Sequence, residues 1–146
     1  MLYGIPSFLL NRLQMVHNSA ARLITRTSKR DHITPVLVEL HWLPVKYRLQ
    51  YKVLLYTYKA LHGTAPSYIC DLVNMQQPKR TLRSSARSLL IVPKVRTVTY
   101  GDRSFKVAAA ALWNNLPEKL KDMVSEYNFK RQLKTYLFRL AFSEAV

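Results

Sequence analysis

Only one cysteine, three glycines and eight acidic residues occur in the 146 positions, and each shortage excludes a class of function. A single thiol, Cys70, forms no internal disulfide, so a disulfide scaffold is excluded; a reducing intracellular compartment, cytoplasmic or nuclear, is expected. Its setting between Ile69 and Asp71 in an apolar stretch predicts a buried structural thiol rather than a nucleophile. The glycines, Gly4, Gly63 and Gly101, stand too far apart to build a loop that cradles phosphates, so nucleotide-triphosphate hydrolysis is unsupported. Asp31, Asp71, Asp102 and Asp122 are never adjacent, and the carboxylate pair that holds two metal ions for phosphoryl transfer is missing. His17, His32, His41 and His62, with one cysteine, give no zinc-binding spacing. No catalytic residue, metal site or cofactor is therefore expected in this chain. The longest apolar run, Val107 to Trp113, falls far short of the roughly 18 residues that a spanning helix needs, so no stable membrane association is expected.

What the chain does hold is positive charge. Lysine and arginine number 23 against 8 acids, a net charge of +15 in a chain of which only 21% is charged. Such an excess favours polyanions, nucleic acid first and anionic membrane second. Hydrophobic residues make up 49% of the chain. At this length one domain is the default, and it could bury about two thirds of its unfolded surface.

The pattern predicts a mainly α fold: a small helical domain with a minor β-hairpin between the helical halves. Before Asp31 there is no acid, while Arg12, Arg22, Arg26, Lys29 and Arg30 are present, a composition shared with transit peptides. Against that reading, Leu9, Leu13, Val16, Ala20 and Leu23 recur at helical spacing after Pro6, and are expected to complete a core. Thr34 and Pro35 open a short helix ending near Trp42. Pro44 opens the longest one, which should stop at Gly63. On that helix Val45, Leu49, Val53, Tyr56 and Ala60 form one apolar stripe, and Tyr47, Tyr51, Leu54, Tyr58 and Leu61 a second. Arg48, Lys52 and Lys59 fall between them, within about 40° at 100° per residue, as a narrow basic edge. Residues 1–73 thus form a helical region, and 74–88 a basic, exposed and mobile connector with Lys79, Arg80, Arg83 and Arg87. In 89–146, two short strands (Leu89 to Val92, Val95 to Tyr100) precede a helix capped by Asp102 and a last helix capped by Ser125, packed on the first region.

Three blocks of sequence point further. The first is His41-Trp42-Leu43-Pro44-Val45 with Arg48, Tyr51-Lys52, Leu54-Leu55, Tyr58-Lys59-Ala60-Leu61, Gly63, Ala65-Pro66 and Tyr68. The second is Gly101-Asp102-Arg103-Ser104-Phe105 followed by Ala111-Leu112-Trp113-Asn114-Asn115-Leu116-Pro117; the third is Phe129-Lys130 with Leu133-Lys134-Thr135-Tyr136-Leu137-Phe138. In this order they resemble the C-terminal region, the end of the thumb and the post-palm part, of jockey-like, LINE-type non-LTR retrotransposon reverse transcriptases. The likeness runs from Leu2-Tyr3-Gly4 to Phe138. It implies a non-catalytic part of an RNA-directed DNA polymerase that helps hold template RNA and primed target DNA, with the catalytic palm expected upstream of Met1 as its partner. Some relatives end in a Cys/His knuckle, which this chain lacks.

Binding is what remains. Arg22, Arg26, Lys29 and Arg30, then Arg48, Lys52 and Lys59, then Lys79, Arg80, Arg83 and Arg87 are the candidates for a phosphate track along RNA or DNA. Tyr47, Tyr51 and Tyr58 could stack on bases, although aromatics at helical spacing among aliphatics ordinarily pack. Two alternatives stand beside this reading. One is a relic or domesticated basic domain that binds another protein, or that has no selected function. The other, peripheral attachment to anionic lipid through Ser7 to Arg26, would require that helix to leave the core.

Overall fold

The computed structural model describes residues 3–76, 88–94, 101 and 103–143. Those residues form seven helices: α1 (Ser7–Thr25), α2 (Ile33–Glu39), α3 (Val45–Leu61), α4 (Ser67–Cys70), α5 (Phe105–Asn114), α6 (Glu118–Lys121) and α7 (Glu126–Phe142). The protein is mainly α-helical, as the hydrophobic periodicity implies. Only one β-bridge occurs among the described residues, antiparallel between Met75 and Leu90, where Gln76 N–H donates to the Leu89 carbonyl at 2.8 Å. Leu89 to Val92 is extended there, and the expected hairpin's second strand cannot be placed against it. The only described pairing of this segment is with residues 74–76, and 95–100 lie outside the described residues.

α3 is the hub. Its residues Val53, Leu54, Thr57, Tyr58 and Ala60 are buried, and it packs against both α5 and α7. The Ala108-Ala109-Ala110 run lets α5 lie close to α3 beside Val53, since small side chains keep two helices near each other. Tyr58 ties α3 to α7. Its ring stacks on Phe129 at 4.1 Å between centroids, and its hydroxyl lies 2.9 and 2.7 Å from the Met123 and Val124 carbonyls at the approach to α7. Trp113 tilts against Phe129 and donates its indole N–H to the Ser88 carbonyl at 3.0 Å. Asn114 then grips Leu90 as a strand would, accepting its N–H at 2.8 Å and donating to its carbonyl at 3.0 Å. These bonds give the Trp113-Asn114 pair a packing role.

Helix ends follow local rules with few glycines to help. Gly63, at φ +67°, closes α3 in a Schellman motif, with Thr64 N–H bonded to the Lys59 carbonyl at 2.9 Å. α2 ends the same way without glycine: His41 takes φ +52°, and Trp42 N–H reaches the Leu37 carbonyl at 2.9 Å. That left-handed residue turns the chain into α3. The start of α2 differs from expectation, because His32 occupies the cap position and Thr34 lies inside the helix. Ser104 stands at the start of α5; Asp102 lies outside the described residues. Cys70 is half-buried rather than buried, its thiol 3.4 Å from the Ala65 carbonyl, because α4 is a short surface turn.

The largest departure is the orientation of α1. Helical periodicity assigns its apolar stripe to the core, yet Val16 is 70% and Leu23 82% exposed, with Phe8, Leu9 and Leu13 also outside. The side that packs is the polar one. His17 and Ala21 are buried, and Gln14 Oε1 accepts the Val45 N–H at 2.8 Å, satisfying one of the free amides at the start of α3. His17 lies against Trp42 at 5.0 Å. Periodicity finds an apolar face but not which neighbour it meets, and here the neighbour offers a ring and an unpaired amide. Leu23→Ser is therefore expected to change the unfolding free energy by no more than about 0.5 kcal/mol, whereas Leu133→Ala, at a fully buried α7 position, should cost about 2–5 kcal/mol. Urea titration of both variants checks this. A large loss from Leu23→Ser would mean that α1 faces the other way.

Candidate functional site

A cleft of about 530 Å³ opens between α3, the His41–Leu43 turn and α7. The α3 helix presents Arg48, Lys52 and Lys59 to it, with Tyr51, Leu55 and Tyr56 beside them. α7 contributes Lys134 from the facing side, and the left-handed His41 brings Trp42 into the wall. Among the described residues, four cations and no carboxylate line this space.

The charges are not equivalent. Glu126 at the start of α7 bridges Lys59 at 3.3 Å and Lys130 at 2.6 Å. The hydrogen bond from Lys130, with that from Lys59, holds the Glu126 carboxyl below the usual carboxylate range against partial desolvation, and Lys130 is raised in return. Lys59 is thus already paired. Arg48, Lys52 and Lys134 form no ion pair with a described residue, so they are the charges available to an anion.

The basic edge expected on α3 therefore exists and lies along a cleft. The other expected cations separate. Arg22 is committed to the turn after α1, where its guanidinium donates to the Ser28 and Asp31 carbonyls. Arg26, Lys29 and Arg30 belong to that turn and do not line the cleft. Lys79, Arg80, Arg83 and Arg87 lie outside the described residues. Of the tyrosines, Tyr58 is core and Tyr47 donates its hydroxyl to the Leu140 carbonyl at 3.3 Å; Tyr51 lines the cleft. Burial raises the Tyr51 pKa, so it remains a neutral phenol.

Sequence reasoning missed Lys134, Tyr56 and Trp42. Lys134 is visible there only as a charge beside the apolar face of the last helix. Tyr56, assigned to a core stripe, is 42% exposed because α3 buries a narrower arc than two full stripes. Among the described residues no group of three or more histidine, cysteine, aspartate or glutamate side chains could hold a metal ion. None of their helices is long and apolar enough to cross a membrane. No family model, curated protein or solved structure matches the chain.

Behind the cleft, His17 is buried with Nε2 unpartnered among the described residues, and Nδ1 lies 3.5 Å from the Gln14 amide nitrogen. Burial first, and the nearby Arg48 guanidinium second, push its pKa below 6.5. The unfolded chain therefore binds a proton at His17 at a higher pH than the folded chain does. The His17 contribution to stability is fully present above about pH 6.5 and falls as pH drops from there to the lowered folded value. The urea midpoint is expected to fall between pH 7.5 and 5.5, and less so in His17→Gln. An undiminished fall in that variant would contradict a buried neutral imidazole.

Proposed function

We propose that this chain is a non-catalytic, nucleic-acid-holding segment resembling the end of the thumb and the post-palm region of a LINE-type RNA-directed DNA polymerase. Its partners would be template RNA and primer or target DNA, together with the upstream palm that carries the chemistry. The observation that carries the reading is the set of three cations, Arg48, Lys52 and Lys134, without an ion pair among the described residues, converging from two helices on one aromatic-walled cleft that no described carboxylate lines. A phosphate backbone meets that arrangement without displacing an internal ion pair. The net charge of +15 adds long-range attraction. The three ordered sequence blocks support the family assignment. The lack of an adjacent Asp pair supports a role in holding rather than in polymerisation.

A second reading, a relic or domesticated basic domain that docks on another protein, is favoured by the outward apolar side of α1, since a contiguous exposed apolar surface marks an interaction site. The two readings differ in salt dependence. Fluorescence anisotropy of a labelled single strand at several salt concentrations measures it. Three phosphate contacts contribute about −2 to the log–log slope on single strands, so changing Arg48, Lys52 and Lys134 together to Ala should make the slope shallower by about 2 at an unchanged melting temperature. Absence of binding at low salt would remove the nucleic-acid reading, and an unchanged slope would move the contact off the cleft.

A further inference from the structure

We propose that the cleft takes one unpaired nucleotide of an RNA or DNA strand, with the base in its aromatic part and the adjoining phosphates on its cations. This rests on the nucleic-acid reading and adds to it a preference for strand without a pairing partner. The cleft offers two kinds of surface. Trp42, Tyr51, Leu55 and Tyr56 supply flat and apolar surface, while Arg48, Lys52 and Lys134 supply charge. A blunt duplex carries its phosphates outside and its bases stacked inside, so it can meet the cations and leave the aromatic part unfilled. An unpaired nucleotide satisfies both, because every base has a face that stacks on an aromatic ring. The volume of about 530 Å³ lies within the usual range for small-ligand sites, roughly 300–1,000 Å³.

The position of the cleft also suits a strand rather than a free nucleotide. Arg48, Lys52 and Tyr56 follow one another by one turn each along α3, a row of two cations and a ring that a strand can follow. Tyr56 is the residue on which the proposal can be tested cleanly. At 42% exposure it contributes little to the core, and its removal leaves all three free cations in place.

The test uses the full chain and four labelled probes of equal length in anisotropy titrations: a single-stranded RNA, the same sequence as single-stranded DNA, a blunt duplex, and an abasic single strand that keeps the phosphates without the bases. The two base-bearing single strands are expected to bind roughly 5- to 150-fold more tightly than the abasic strand, the span set by stacking of one base. Tyr56→Ala should narrow that difference, with Trp42 and Tyr51 still present, while leaving abasic binding unchanged; an undiminished difference would overturn the assignment of the base to this cleft. The ratio of RNA to DNA affinity tells which strand supplies the nucleotide. Equal binding of abasic and base-bearing strands, or a blunt duplex bound as tightly as either, would overturn the unpaired-nucleotide proposal and leave the nucleic-acid reading standing. Failure of every probe to bind at low salt would overturn both. Displacement of the strand by a peptide of alternating Glu and Trp more readily than by unlabelled strand would instead assign the cleft to an acidic protein segment.

Discussion

The contact between Tyr58 and Phe129 fixes the relation of α3 to α7, and the rest of the structure depends on that relation. The rings lie nearly parallel, at 16°, and the Tyr58 hydroxyl reaches the carbonyls just before α7. Stacking, area burial and a satisfied hydroxyl act at one point that is 1% exposed, where an unmade hydrogen bond would cost about 1–3 kcal/mol. From that anchor α7 brings Lys134 to the cleft that Arg48 and Lys52 line from α3. Burial raises the pKa of Tyr58, which keeps the phenol protonated as a donor.

A second constraint comes from α1. A helix that turns most of its apolar side outward derives only a small part of its position from hydrophobic burial, through the cluster of Ala21 with Val36, Leu37 and Phe142. It is held also by Gln14 at the start of α3 and by His17 on Trp42. Because Trp42 belongs both to that contact and to the cleft wall, the polar underside of α1 supports the cleft from behind. The outward apolar surface needs no departure of α1 from the domain in order to meet a partner.

Much of this architecture is legible in the sequence, and the limits are physical. Pro44 and Gly63 mark the bounds of α3 through backbone chemistry alone, and helical periodicity places Arg48, Lys52 and Lys59 on one edge. Local rules of that kind act within a few residues. The contribution of Lys134 depends on a packing partner some eighty positions away, the capture of Arg22 on two carbonyls of a following turn, and the pairing of Lys59 on Glu126. None of these is encoded in spacing. The direction of α1 illustrates the same limit, since an amphipathic pattern reports a face and leaves its neighbour open. Glycine scarcity hides another feature: His41 performs at the end of α2 what glycine performs at the end of α3, so nothing in composition flags the turn that brings Trp42 to the cleft.

The central claim is that strand binding occurs at the α3–α7 cleft. Backbone amide chemical-shift mapping during titration with an unlabelled single strand tests it most directly. The expected result is a set of shifts concentrated at His41 to Leu43, Arg48 to Lys59 and around Lys134, with α4 and the outer side of α1 unaffected. Shifts confined to the outer side of α1 or to the Arg26 to Arg30 turn, with the cleft unchanged, would contradict it.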